Sequence, residues 1–110
     1  MNYSVILIEK FKKEAKRLSK KYPSLKTELK ELFTLLAENP TIGTPLGNNT
    51  YKIRIAIKSK GVGKSGGARV ITYVISNDRQ VYLLTIYDKA ELDTIDDTAL
   101  RRIVKSITVK

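Results

Sequence analysis

The spacing of hydrophobic residues alternates between a helical and a strand-like pattern along this chain, and this succession limits the possible folds more than any other feature. Through residues 9–38 apolar side chains recur as they do on one face of an α-helix, with a single break at Pro23. Three later runs have the alternation or the continuous apolar character of β-strands: residues 51–57, 68–75 and 80–87. A helical spacing returns over residues 97–106. The sequence therefore predicts a helical hairpin, then strands, then a last helix.

A short β-branched run at residues 3–8 adds a first strand and gives the order β-α-α-β-β-β-α. Short turns join the last three strands, so we predict an antiparallel meander. The helical hairpin, with Ser24 positioned to cap its second helix, should cover one sheet face and leave the other as a concave, partly basic surface. Residues 40–50 and 58–67 are predicted loops because of their composition.

The predicted fold class is α+β. An N-terminal strand and a helical hairpin pack on a mostly antiparallel four-stranded sheet, and a C-terminal helix follows. A chain of 110 residues is expected to form a single domain, so we assign residues 1–110 to one unit.

Composition narrows the chemistry that is available to such a domain. The chain has no His and no Cys, which excludes a Ser-His-Asp triad, a thiolate nucleophile and the common zinc sites. Any reaction must therefore use Lys, Arg, Tyr or carboxylate groups, and we expect no metal and no cofactor. We read the acidic residues Glu91, Asp93, Asp96 and Asp97 as a solvated loop and a helix N-terminus. No apolar run is long enough to span a membrane, and Met1-Asn2-Tyr3 does not begin a secretory leader, so we expect a cytoplasmic protein.

The formal net charge of +10 favours a polyanionic partner and is concentrated in two blocks. Residues 9–30 and residues 51–69 each carry a net charge of +6. In the first block the lysines fill the outer face of the helical hairpin, where they either keep the helices soluble or contact a nucleic-acid backbone. The second block coincides with the first two strands of the meander.

Lys52 and Arg54 are two positions apart on a strand and therefore project from the same face. Arg69 begins the neighbouring strand, and Lys89 follows the next one. Cations that converge on one sheet surface can hold a phosphate and stabilise the charge that builds on it, and a lysine among them can transfer a proton. The other interpretation, which the spacing leaves open, is a basic strand face that is simply solvated.

The segment between those two strands reads Lys-Ser-Lys-Gly-Val-Gly-Lys-Ser over residues 58–65. Its end matches a phosphate-binding loop, but Lys58 stands where that motif requires Gly, and strands flank it on both sides. We interpret it as a flexible basic hairpin loop whose lysines close over RNA phosphates: Lys58, Lys60 and Lys64. Most tyrosines should pack in the core, while Tyr73 and Tyr87 are the candidates for stacking on a base.

Three segments resemble the RelE/HigB toxins of bacterial type II toxin–antitoxin modules: YKIRIA at residues 51–56, KSGGARVITY at 64–73 and VYLLTIYDKAE at 81–91. The resemblance implies a RelE-like fold and ribosome-dependent cleavage of mRNA in the A site, by attack of a ribose 2′-OH on the adjacent phosphate. It places the catalytic residues at Lys52, Arg54, Arg69 and Lys89. This chain departs from the best-studied members in having no Tyr after Lys89.

The resemblance also implies partners: a cognate antitoxin, expected to be a small helix-turn-helix protein, together with the ribosome and mRNA, and no membrane. Two other functions stay open. ParE-like relatives on the same scaffold inhibit DNA gyrase by binding a protein, and they do not depend on this cation cluster. A non-catalytic RNA-binding domain would show salt-sensitive RNA binding without cleavage.

Overall fold

The computed structural model describes residues 2–61, 63–92 and 94–108. Its helices are α1 (Glu9–Lys21), α2 (Leu25–Glu38) and α3 (Asp97–Thr108). Its strands are β1 (Ser4–Leu7), β2 (Thr44–Gly47), β3 (Thr50–Ile55), β4 (Ala68–Ile75) and β5 (Gln80–Asp88). Two 3-10 turns, Lys58–Lys60 and Lys64–Gly66, lie between β3 and β4. Among the helices of this described part, none is long and apolar enough to cross a membrane.

The helical hairpin forms as the apolar spacing predicts. Phe11 and Leu18 of α1 are fully buried, and α2 buries a stripe of leucines against the sheet: Leu25, Leu29, Leu32 and Leu36. Ser24 occupies the N-cap position of α2, but the capping prediction is wrong in its chemistry, because no side-chain capping hydrogen bond forms. Its hydroxyl instead donates to Glu28 and contacts the hydroxyl of Ser59, which ties the helix to the first 3-10 turn.

The strands form one sheet in the order β1-β5-β4-β3-β2. β1 runs parallel to β5, and every other neighbouring pair is antiparallel, so the mostly antiparallel sheet is confirmed. β4 and β5 lie in the interior of the sheet, in agreement with their apolar residues on both faces.

The sheet has five strands rather than four, because the predicted loop over residues 40–50 contains β2. All four residues of β2 are exposed, so no buried alternation reveals the strand in the sequence. The hairpin to β3 turns on Asn48 and Asn49, whose φ angles of 53° and 64° are both left-handed. Two such residues form a type I′ turn, and asparagine is among the residue types that tolerate it best.

The second face of the sheet is not left free as predicted. Helix α3 lies against it, and Leu100 packs with Ile71, Leu84 and Tyr87 in a second hydrophobic cluster. The two clusters therefore lie on opposite faces of β4 and β5, and the basic residues are confined to what remains open near β3.

Gly67, at the entry to β4, provides a sharp test of this packing. A Cβ atom built on Gly67 would lie 2.0 Å from the carbonyl oxygen of Ile55, which is backbone that cannot move aside. We expect Gly67→Ala to lower the free energy of unfolding by about 2 kcal/mol or more, measured by urea denaturation. Gly63→Ala is the matched control, because nothing lies within 4 Å of its Cβ position. Equal stability of the two variants would contradict the close approach of β3 to Gly67.

Candidate nucleic-acid interface

A cleft of about 520 Å³ runs between α2 and β3. β3 pairs with β4 along its whole length, but β2 covers its outer edge only at Thr50, Tyr51 and Lys52, so the remainder of that edge borders the cleft. Basic residues line it from three elements: Lys52 and Arg54 from β3, Lys58 from the first 3-10 turn and Lys64 from the second. The cleft is thus the place where the structure brings predicted site residues together.

The strand register explains part of this arrangement. Arg54 lies directly opposite Arg69, which in turn lies opposite Tyr87, so the three side chains share one face of the sheet. Lys52 lies opposite Ile71 on the same face. The pleat thus places Lys52, Arg54 and Arg69 on a common face, as the alternation predicts. This is the face against which α3 packs, so Lys52 and Arg54 border the cleft at the edge of the sheet and not from the face that α2 covers.

Arg69 nevertheless has a different environment from its neighbour Arg54. It is only 5% exposed, whereas Arg54 is an exposed residue. Its guanidinium donates hydrogen bonds to the carbonyl oxygens of Lys64 at 2.9 Å and Ser65 at 3.0 Å. These bonds hold the second 3-10 turn and the backbone of Lys64, a residue that lines the cleft.

Lys60 belongs to a buried network beneath the turns. Its ammonium group donates to Asp88 at 2.5 Å and to the carbonyl of Gly66 at 3.0 Å, and its side chain is only 17% exposed. The fully buried carboxylate of Asp88 also accepts a hydrogen bond from the hydroxyl of Tyr22 at 2.6 Å. The network therefore joins the end of α1, the end of β5 and both 3-10 turns.

The first 3-10 turn is anchored from α2. The backbone N–H of Lys58 donates to the carboxylate of Glu28 at 2.7 Å, and that of Ser59 donates to the hydroxyl of Ser24 at 2.9 Å. Together with the bonds of Arg69 and Lys60, these contacts hold the segment from three sides. The predicted loop between the strands therefore contains two anchored 3-10 turns, while Val62 lies outside the described residues.

The remaining predicted residues lie away from the cleft lining. Tyr87 is 6% exposed and packs in the second hydrophobic cluster, and its burial raises its pKa. Tyr73 lies four residues further along β4 than Arg69, about 13 Å away, beside the ring of Tyr82. Lys89 follows β5, and its backbone N–H donates to the carbonyl of Gly67 at 3.0 Å.

The acidic residues near α3 have ordinary structural partners. Glu91 forms an ion pair with Arg17 at 2.8 Å, and hydrogen bonding to this guanidinium lowers the pKa of Glu91. Asp96 accepts a hydrogen bond from the N–H of Ala99 at the start of α3. Asp93 lies outside the described residues. Within the described ranges, no group of three or more His, Cys, Asp and Glu side chains is placed to hold a metal ion.

Sequence reasoning missed several residues around the cleft. Glu28 and Glu31 line it from α2. Asp88 and Tyr22 belong to the hydrogen-bond network that holds the 3-10 turns beside it. The helical spacing gives no reason to single out Glu28 or Glu31, because both read as ordinary solvated positions. Asp88 did carry a signal: it directly follows the apolar strand β5, where an unpaired carboxylate would be costly.

Asp88 makes the free energy of unfolding depend on pH in the acidic range. Burial alone would raise the pKa of this carboxyl, but hydrogen bonds from Lys60, Tyr22 and the N–H of Ala90 outweigh it and lower the pKa to about 2, from an ordinary value of 3.8. Because the folded-state pKa is the lower one, the stabilisation is complete above the ordinary value and is lost as the pH falls toward about 2.

We expect urea denaturation between pH 5 and pH 2 to reveal a loss of about 2 kcal/mol that comes from Asp88 alone. Asp88→Asn removes the titrating group, so its free energy of unfolding should fall less steeply over the same window. Parallel acid profiles for the two proteins would contradict the assignment.

The fold is similar to that of solved RelE toxins. A free mutant form of the E. coli toxin RelE matches with a TM-score of 0.66 and 22% identity, over 97% of this chain and 99% of that chain. The E. coli RelBE toxin–antitoxin complex matches with a TM-score of 0.60 and 21% identity, over 78% of this chain and 95% of that one. The RelBE2 toxin–antitoxin complex of Mycobacterium tuberculosis gives 0.59 and 17%, over 82% and 94%. No protein-family model matches the sequence. The predicted RelE-like fold is therefore confirmed.

Proposed function

We propose that this protein is the toxin of a type II toxin–antitoxin module and that it cleaves mRNA in the ribosomal A site. The observation that carries the proposal is the clustering of Lys52, Arg54, Lys58 and Lys64 along one open cleft of a RelE-like fold. Cations placed in this way suit a phosphodiester that passes through a more highly charged transition state.

In the proposed reaction a ribose 2′-OH attacks the adjacent phosphorus and displaces the 5′-oxygen of the next nucleotide. The products are a 2′,3′-cyclic phosphate and a 5′-hydroxyl end. Arg54 binds the scissile phosphate and stabilises its developing charge. Lys52 takes the proton of the 2′-OH and delivers it to the departing 5′-oxygen, as a His does in other nucleases. Lys58 and Lys64 bind neighbouring phosphates. The mechanism requires neither a metal nor a cofactor.

Arg69 and Lys60 serve this site as positioning residues in the proposal. Arg69 holds the carbonyls of Lys64 and Ser65. Lys60 donates directly to the carbonyl of Gly66 and is itself held by Asp88. Both keep the 3-10 turns at a fixed distance from β3. This arrangement suits a cleft that is preformed before RNA enters it.

The absence of aromatic residues from the described cleft lining supports the proposal that cleavage depends on the ribosome. None of the described residues that line it is aromatic, so this surface offers bases no stacking platform. The cleft can bind phosphates, but another molecule must hold the codon in an extended, fixed conformation. We assign that role to the ribosomal A site, and place the protein in the cytoplasm with ribosomes and mRNA.

We also propose a cognate antitoxin. The matched E. coli RelBE and M. tuberculosis RelBE2 structures are toxin–antitoxin complexes, and this chain carries a cationic surface that needs neutralising. The expected antitoxin is a small helix-turn-helix protein with acidic segments.

Two assays of the purified protein identify its target: mRNA cleavage on programmed ribosomes and supercoiling by DNA gyrase. Ribosomes programmed with a defined mRNA should yield cuts within the A-site codon, with 5′-hydroxyl ends, while the same mRNA without ribosomes stays intact. Supercoiling by DNA gyrase should continue unchanged in the presence of the protein. Intact mRNA on ribosomes together with trapped gyrase would overturn the proposal, as would salt-sensitive RNA binding without cleavage.

A further inference from the structure

The cleft between α2 and β3, here called the cationic cleft, has one wall without positive charge. That wall is formed by α2, which contributes two acidic and two apolar residues to the lining: Glu28, Glu31, Leu32 and Leu35. The basic residues of the lining come from β3 and the 3-10 turns. A nucleotide whose phosphate binds those cations can turn its base toward α2, so the α2 wall is where the base can be recognised.

The two carboxylates of this wall differ in what they already bind. Glu28 is occupied, because one oxygen accepts a hydrogen bond from the Ser24 hydroxyl at 3.0 Å and the other accepts one from the N–H of Lys58 at 2.7 Å. Glu31 is exposed and forms no hydrogen bond or ion pair within the described part of the chain. No Lys or Arg stands three or four residues away on α2 to pair with it. Both oxygens of Glu31 are therefore available to a ligand in the cleft.

An apolar surface adjoins Glu31. Leu35 lies one turn further along α2 and is 55% exposed, which is unusual for a large hydrophobic side chain. Ile42 is half-buried and lines the cleft as well. It is held in place by its neighbour Gly43, where a Cβ atom would lie only 2.5 Å from the carbonyl oxygen of Lys52. Aliphatic side chains of this kind can cover one face of a single flat base.

We propose that the α2 wall of the cationic cleft binds guanine and that Glu31 distinguishes it from the other bases. A carboxylate only accepts hydrogen bonds, so it matches a base edge that presents donors. Guanine places a ring N–H and an amino group side by side on its Watson–Crick edge, and the two carboxylate oxygens accept from both. Adenine, cytosine and uracil each present an acceptor beside their donor on that edge. Leu35 and Ile42 cover one face of the bound base.

A single nucleotide fits the available space. The volume of about 520 Å³ is within the range of small-molecule sites, about 300–1,000 Å³. The inference rests on the proposed function for its biological meaning, since it names the base that the nuclease prefers in the A-site codon. Binding of guanine to the wall does not itself require cleavage, so the two can be tested separately.

Binding is tested with free mononucleotides and the isolated protein. GMP and IMP differ only in the amino group of the base, so their affinities isolate that contact. The methyl resonances of Leu35 and Ile42 report binding in NMR titrations, and those of Leu46, which is exposed outside the cleft, are the reference. We expect GMP to bind at least about fivefold more tightly than IMP or AMP, because each of these loses a hydrogen bond to a charged group.

Two variants with the same change of charge assign the preference to one side chain. Glu31→Gln replaces an acceptor oxygen with a donor amide, so the affinities for GMP and IMP should come within about twofold of each other. Glu38→Gln makes the same change at an exposed position of α2 outside the cleft lining and should keep the wild-type preference. Leu35→Ala should weaken the binding of GMP and IMP alike, since it removes contact area but no donor or acceptor.

Cleavage on programmed ribosomes tests the same contact in the proposed reaction. Guanosine is placed at each position of the A-site codon in turn and compared with inosine. Inosine should slow single-turnover cleavage by about fivefold or more at one position for wild type, and by less than about twofold at every position for Glu31→Gln.

Three results would overturn the inference. The first is equal affinity for GMP and IMP, or binding that shifts the methyl resonances of Leu46 and not those of Leu35. The second is a preference for GMP that persists in Glu31→Gln. The third is cleavage that proceeds equally fast with inosine at every codon position. A preference for GMP without any cleavage supports the guanine site and overturns the nuclease proposal alone.

Discussion

Asp88→Ala is expected to lower the free energy of unfolding by about 3–5 kcal/mol, the largest stability effect of any single substitution considered. The substitution leaves the ammonium group of Lys60 under the 3-10 turns without its carboxylate, and it removes the acceptor of the Tyr22 hydroxyl. A buried charge without a partner costs far more than the pair itself contributes. Since the network links α1, β5 and both turns, the loss should reach the whole domain.

Urea denaturation followed by circular dichroism measures this effect. Glu91→Ala is the matched control, because it removes a carboxylate that also pairs with α1 but does so at the surface. Surface ion pairs contribute little, so its midpoint should stay near that of the wild type. Equal midpoints for Asp88→Ala and Glu91→Ala would contradict the structural role of the buried network. The double variant Lys60→Met/Asp88→Leu should recover part of the stability, since it removes both charges together.

Lys52→Ala/Arg54→Ala is expected to abolish toxicity while leaving the fold intact. Both residues line the cleft, and neither forms an ion pair within the described residues, so their replacement creates no buried unpaired group. Loss of one preorganised group that stabilises transition-state charge typically costs a factor of about 100 to 1,000 in rate. Two such losses should bring cleavage below the level that arrests growth.

Induced expression in bacteria measures this directly, with growth and the amount of soluble protein followed together. The Lys13→Ala/Arg102→Ala protein loses the same charge at exposed positions outside the cleft, and it should remain as toxic as the wild type. Arg69→Ala makes a poor substitute for the double variant. It would also release the carbonyls of Lys64 and Ser65, so lost activity could reflect a displaced turn.

Much of this fold can be predicted from the periodicity of apolar residues, because that periodicity determines which faces of the helices and strands are buried. The apolar character of residues 68–75 on both faces predicts an interior strand, and β4 has those bounds. The same pleat argument placed Lys52 and Arg54 on one face, since side chains two apart on a strand must point the same way. The sequence does not predict β2, because its residues are exposed and its pairing depends on backbone hydrogen bonds and the Asn48–Asn49 turn.

The roles of individual cations were harder to predict, because a charge in the sequence does not reveal its burial. Lys60 and Lys58 are two residues apart in the same loop, yet one is paired with a carboxylate 28 positions away and the other is exposed. Arg69 and Arg54 are direct neighbours across two strands, yet only Arg69 is covered. Each difference depends on contacts between distant segments, which periodicity cannot register.

The most direct test of the central claim is the single-turnover rate at which the A-site codon is cut on programmed ribosomes. Wild type, Lys52→Ala/Arg54→Ala and Lys13→Ala/Arg102→Ala should be compared at equal concentration and equal salt. We predict cleavage by wild type and by the Lys13 and Arg102 variant at similar rates, and a loss of at least about 100-fold in the cleft variant. Equal rates for all three proteins, or no cleavage by wild type, would contradict the assignment of RNA cleavage to the cationic cleft.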